Sequence, residues 1–187
     1  MEHIVISHQA QRNNKYPRYI ASFQVSSFPT GCSIACTSEI YAVKRTGSFY
    51  KRSPPTEASE KWINCAQKIG ANGWASFKFL FFGPGGDLYA VPKDGTFLKG
   101  SPPKNALDNW SARATKIGNG GWADFKFLFF GPDCNLYAVK KNGPFFTTYE
   151  PKNRRDPWLG RATKIGTGGW QHFKFLFFGP GGYLYAV

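Results

Sequence analysis

Three near-identical phrases constrain this chain most: GWASFKFLFFGPGGDLYAV from Gly73, GWADFKFLFFGPDCNLYAV from Gly121 and GWQHFKFLFFGPGGYLYAV from Gly169. Their tryptophans, Trp74, Trp122 and Trp170, stand 48 residues apart, and a second series, Trp62, Trp110 and Trp158, keeps the same interval. A whole unit therefore recurs, not one motif. Strand-like units with a period of about 40 to 50 residues predict a radial β array, in which each unit covers the apolar face of its neighbour.

Within a unit the segments are short, β-rich and punctuated by turn residues, which predicts four strands and no helix. Phe125–Phe130 is apolar on both faces apart from Lys126, as expected of an inner strand between two sheets. Gly131-Pro132 opens a turn, Leu136–Val139 reads as the second strand, and Lys141-Asn142-Gly143 turns into a third around Phe145-Phe146. The fourth is expected to begin near Trp158 and to run through Arg161 to Ile165, ended by Gly166. The predicted fold is all-β, a β-propeller of four-stranded antiparallel blades built from 48-residue repeats. The units are placed at about 28–70, 77–118 and 125–166, with a partial one at 173–187, roughly four blades' worth of chain. Residues 1–27 show no repeat signature. Segments 2–6 and 19–25 are apolar enough for two strands, which would pair with the partial unit and close the ring. A homo-oligomer that completes an open arc is the alternative, because an uncovered edge invites association.

The formal net charge of +13 favours acidic partners such as phosphorylated glycans, nucleic acid or anionic lipid. Many of the lysines recur at Lys68/Lys116/Lys164 and Lys78/Lys126/Lys174, so the charge is spread in rings, and a solvated surface accounts for much of it. No stretch approaches the roughly 20 apolar residues of a membrane span, and the first residues carry no apolar leader. The expected location is cytoplasmic, or outside the cell by a non-classical route. Cys32, Cys36, Cys65 and Cys134 never recur at equivalent positions, so free thiols are expected in place of a disulfide framework. His3, His8 and His172 are the three histidines, and none is a repeat feature. With no metal-ligand spacing, phosphate loop or nucleophile motif, the chain reads as a non-enzyme without cofactor or metal.

The GGW, FKFLFF, LYAV, SPP, DNW and ARATKIG phrases, in order at one period across about residues 28–187, resemble the GlcNAc/GalNAc-binding tachylectin family. The resemblance implies a five-bladed propeller that binds N-acetylhexosamines, with one site per blade in loops between neighbouring blades. This chain is shorter than five blades require, so its array reads as incomplete or open.

Read from the residues, the first candidate site is Asp108, Asn109, Trp110 and Arg113 with Gly120, Gly121 and Trp122. An amide such as Asn109 offers donor and acceptor to hydroxyl and acetamido groups, and Arg113 adds a fork of donors. A tryptophan ring suits the C–H face of a pyranose. The competing explanation is that the tryptophans pin one blade to the next and the glycines merely form turns. The following copy keeps Asp156, Trp158, Arg161, Gly169 and Trp170 but has Pro157 for the asparagine. The earlier copy, around Trp62 and Trp74, has Glu60 and Lys61 for Asp-Asn and Cys65 for the arginine. Repetition of shallow sites would raise avidity for clustered glycans. The expected function is thus a non-enzymatic multivalent lectin, with innate recognition of microbial glycans as its setting. The alternatives are a protein-interaction propeller whose sugar sites have decayed, or a binder of acidic polymers or nucleic acid.

Overall fold

Short runs rich in Phe, Leu, Tyr and Val between Gly-rich turns form three antiparallel meanders and a two-stranded hairpin in the computed structural model, which describes residues 39–187. Segments 2–6 and 19–25 and the beginning of the first unit lie outside the described residues. Among the described residues the first sheet has three strands, β1 (Ile40–Val43), β2 (Phe49–Arg52) and β3 (Gln67–Gly70). The second has four, β4 (Phe79–Phe82), β5 (Leu88–Val91), β6 (Phe97–Gly100) and β7 (Thr115–Gly118). The third also has four, β8 (Phe125–Phe130), β9 (Leu136–Lys140), β10 (Phe145–Thr148) and β11 (Thr163–Gly166). The last pairs β12 (Leu176–Phe178) with β13 (Leu184–Ala186). Strands follow one another in sequence order, which gives a propeller-like all-β fold. The outer pairings carry a register shift at one repeat position, after Phe49, Phe97 and Phe145, as a bulge does where a strand must twist away.

Apolar residues fill the spaces between sheets. Val43, Phe49 and Ile69 of the first sheet pack against Leu80, Leu88 and Ala90 of the second, with Trp74 and Trp110 wedged beside them. Phe81, Tyr89 and Val91 meet Leu128, Leu136 and Ala138 of the third. Phe127, Phe129 and Val139 in turn meet Leu176 of the last.

The GGW tryptophans act as wedges. Trp74, Trp122 and Trp170 lie on Phe49, Phe97 and Phe145 with centroids 4.6, 4.5 and 4.8 Å apart. Each indole also covers a glycine at the end of the preceding sheet. A Cβ on Gly70, Gly118 or Gly166 would fall 2.0, 2.1 or 2.2 Å from the indole nitrogen, so no side chain fits there. Polar links cross the same junctions. The Trp122 amide donates to the Gly95 carbonyl (3.2 Å), and the Tyr89 hydroxyl donates to Glu150 (2.7 Å), which also pairs with Lys99 (2.7 Å).

Three expectations are corrected here. Trp158–Arg161 is not the start of a strand: it forms a one-turn helix, α3, repeated as α1 (Trp62–Cys65) and α2 (Trp110–Arg113). The turn lets each indole fold back, and Trp62, Trp110 and Trp158 donate to the carbonyls of Ser53, Ser101 and Tyr149. Lys78 and Lys126 are not simply part of a solvated ring. Lys78 donates to the carbonyls of Ala123 and Phe125, and Lys126 to that of Gln171, so each staples its sheet to the linker that enters the next. Cys134 is disulfide-bonded, whereas Cys65 is an exposed free thiol. A lone cross-link need not follow the repeat, which is why the spacing of the cysteines concealed it.

Candidate functional site

Register brings the functional loops together. Phe125 of β8 pairs with Lys140 of β9, which sets the tip of the β9–β10 hairpin beside the linker Gly120-Gly121-Trp122. The connection from β10 to β11 folds back over both through α3. Between these three segments runs a groove of about 720 Å³, lined by Gly120, Gly121, Trp122, Asp124, Phe125, Lys140, Lys141, Asn142 and residues 156–160.

Of the residues expected to bind, the groove unites Gly120, Gly121, Trp122, Asp156 and Trp158. It does not include Asn109 or Arg113. Asp108, Asn109, Trp110 and Arg113 belong to the equivalent place one unit earlier, where the Trp110 ring stands 5.6 Å from Trp74, just as Trp158 stands 5.3 Å from Trp122. Gly169 and Trp170 lie one unit later, on the linker into the last sheet. Trp62, in the first unit, is only half-buried.

The tryptophans are chiefly packing groups: Trp110 and Trp158 are 1% and 2% exposed, and Trp74 and Trp122 are each 7% exposed. The Asp-Arg pairs are clamps. The Arg161 guanidinium holds both oxygens of Asp156 (3.0 and 2.9 Å), the Thr148 hydroxyl (3.0 Å) and the carbonyls of Tyr149 and Glu150 (3.2 and 2.7 Å). Arg113 does the same with Asp108, the Ser101 hydroxyl and the carbonyls of Ser101 and Pro102. Each carboxylate also accepts a backbone amide, from Lys104 or Lys152. The arginine's hydrogen bonds above all, then these amides, hold Asp108 and Asp156 below the usual carboxylate range.

The first unit rebuilds the clamp with different residues. Glu60 accepts the Thr56 amide (2.9 Å), and its guanidinium partner is Arg52, at the end of β2, in place of the missing arginine at position 65. The Thr56 amide is the leading reason that Glu60 is held below its ordinary value.

Sequence reasoning missed the hairpin tip. Lys141 and Asn142 read as turn residues and nothing in the sequence singles out Lys140; only the register shows that they face the GGW linker. Asp124 and Lys141 form an ion pair across the mouth (3.5 Å). The Lys141 and Lys78 ammonium groups repel one another: burial first, then this repulsion, holds Lys78 down to about 8. Among the described residues no cluster of three His, Cys, Asp or Glu side chains suits a metal ion, and no helix is long and apolar enough to cross a membrane.

Residues 96–187 match the model of the tachylectin family. A solved structure described as "The de novo evolutionary emergence of a symmetrical protein is shaped by folding constraints" is 32% identical, with a TM-score of 0.79, over 100% of this chain and 83% of that one. Residues 96–187 thus support a tachylectin-like family. Tachylectins are lectins, generally without catalytic activity. The family match spans β6 to β13 and therefore the whole groove, clamp included.

Proposed function

We propose that this tachylectin-like chain is a non-enzymatic, multivalent lectin that recognises N-acetylhexosamines, with microbial surface glycans as its setting. The observation that carries this reading is the groove itself. Its volume of about 720 Å³ suits one or two sugar rings, within the usual span of small-ligand sites. It combines an indole edge and the apolar Pro157 and Leu159 with the Asn142 amide and the linker backbone, the mixture a pyranose needs. The clamp of Asp156 and Arg161 holds the wall without offering itself to the ligand, since its donors are already engaged.

Glycan-array binding competed by free GlcNAc tests the proposal. Gly120 has open space around its Cα, so Gly120→Tyr should fill the groove mouth without disturbing the core. Binding should then fall while the melting temperature holds. A folded wild-type chain that is silent on the array, or Gly120→Tyr binding as tightly as wild type, would overturn it.

A protein-interaction propeller with decayed sugar sites is the second reading. It draws on the burial of Trp110 and Trp158 and on the occupied guanidinium donors. A stoichiometric protein partner whose capture ignores GlcNAc would favour it.

A further inference from the structure

Successive units share one backbone plan at the groove and differ in charge. The β9–β10 hairpin brings Lys140, Lys141 and Asn142 to the groove that Pro157 also lines, whereas the equivalent positions one unit earlier hold Pro92, Lys93 and Asp94, with Asn109 in place of the proline. The earlier unit thus has one cation next to an acid in sequence and a side-chain amide where the later has a proline. The other has two adjacent cations and an apolar lip.

The surroundings of the second do not cancel that charge. Lys78 reaches over from the preceding sheet to the linker carbonyls and adds a third ammonium beside Lys141. Asp156 is spent on Arg161. Asp124 remains as the nearby counter-charge, 3.5 Å from Lys141, and with the two side chains 83% and 61% exposed water screens the pair. Cations therefore outnumber available carboxylates at the mouth of a pocket that also offers Leu159, Pro157 and the Trp122 edge.

We propose that the groove beside Lys140 and Lys141 takes an anionic sugar, a pyranose bearing a sulfate, phosphate or carboxylate group, with the two lysines as its specificity-determining residues. The ring would lie along the apolar lip, and the anionic substituent would face the hairpin tip. This rests on the lectin reading of the same groove and narrows its ligand class. An ammonium paired with an anion forms a charge-assisted hydrogen bond, stronger than the neutral contact a plain hydroxyl makes.

The test is titration of the full chain with immobilised GlcNAc, GlcNAc-6-sulfate and N-acetylneuraminic acid, repeated with Lys140→Gln/Lys141→Gln and with Lys116→Gln. The last removes charge from an exposed position of β7, away from the groove. At least one charged sugar should bind about tenfold or more tightly than GlcNAc. The preference should vanish in the double variant, survive in Lys116→Gln and shrink with added salt. Whether the sulfate or the carboxylate wins identifies the source of the anion, and either supports the proposal. Equal affinity for charged and neutral sugars, or a preference that persists in the double variant, would overturn it while leaving the lectin reading intact. Inorganic sulfate competing as well as the sulfated sugar would also overturn it. Failure of every sugar would instead sink the lectin reading.

Discussion

The second sheet is covered by a complete neighbour and the third by a half-sized one, and equivalent residues record the difference. Ile69 and Ile117, near the ends of β3 and β7, are 0% and 5% exposed, because the next sheet's outer strands and its tryptophan helix lie over them. Ile165, at the same place in β11, is 46% exposed. Trp170 is likewise half-buried where Trp74 and Trp122 are buried. With local sequence nearly constant, burial is set by what stands next door. In a repeat array, stability resides as much in the interfaces as in the units.

Substitution of the wedges should give the largest contrast. Trp122→Ala leaves a cavity between complete sheets and should cost about 3–5 kcal/mol, with Trp170→Ala costing clearly less, both read from urea unfolding. Equal losses would break the comparison. Ile117→Ala should follow at about 2–5 kcal/mol, against less than about 1 for exposed Ile165→Ala. If Ile165→Ala proved as costly as Ile117→Ala, that face of the third sheet would have to be covered in solution.

A smaller effect separates the first unit from the later ones. Arg52→Thr should lower the urea midpoint slightly by leaving Glu60 without its guanidinium. Adding Cys65→Arg recreates the arrangement of Thr148 and Arg161 and should recover most of that loss. No recovery would mean that the two clamps are not interchangeable.

The smallest effect should appear on the acid limb of stability. Asp108 and Asp156 titrate lower folded than unfolded, so their contribution is complete above the unfolded carboxylate value of about 3.9 and is lost as pH falls through the folded values. Arg161→Gln, monitored by chemical denaturation between neutral pH and the acid limb, should flatten that dependence.

Much of the architecture was legible because the repeat states its period twice, once in each tryptophan series. Strands, hairpin turns and their order followed from local alternation and glycine placement. What the sequence concealed was contact between segments. The β9–β10 tip reaches the GGW linker through pairing register, and Lys78 acts on the following sheet. Arg52 replaces an arginine 13 positions downstream, a compensation visible only when both ends of the loop are placed together. The helices at Trp62, Trp110 and Trp158 were missed for a related reason. One turn is too short to show periodicity, and it exists to return an indole to a carbonyl nine residues back.

The linker carbonyls that receive Lys78 and Lys126 belong always to the module that follows, never to one farther along. Such bonding is directional and local, like the couplings of a train. A duplication or loss of one 48-residue cassette would leave each surviving lysine coupling with a backbone carbonyl to receive it, although the link from Tyr89 and Lys99 to Glu150 has no repeat counterpart. Length can therefore drift between relatives without redesign of the lysine couplings, and each joint remains free to acquire its own ligand.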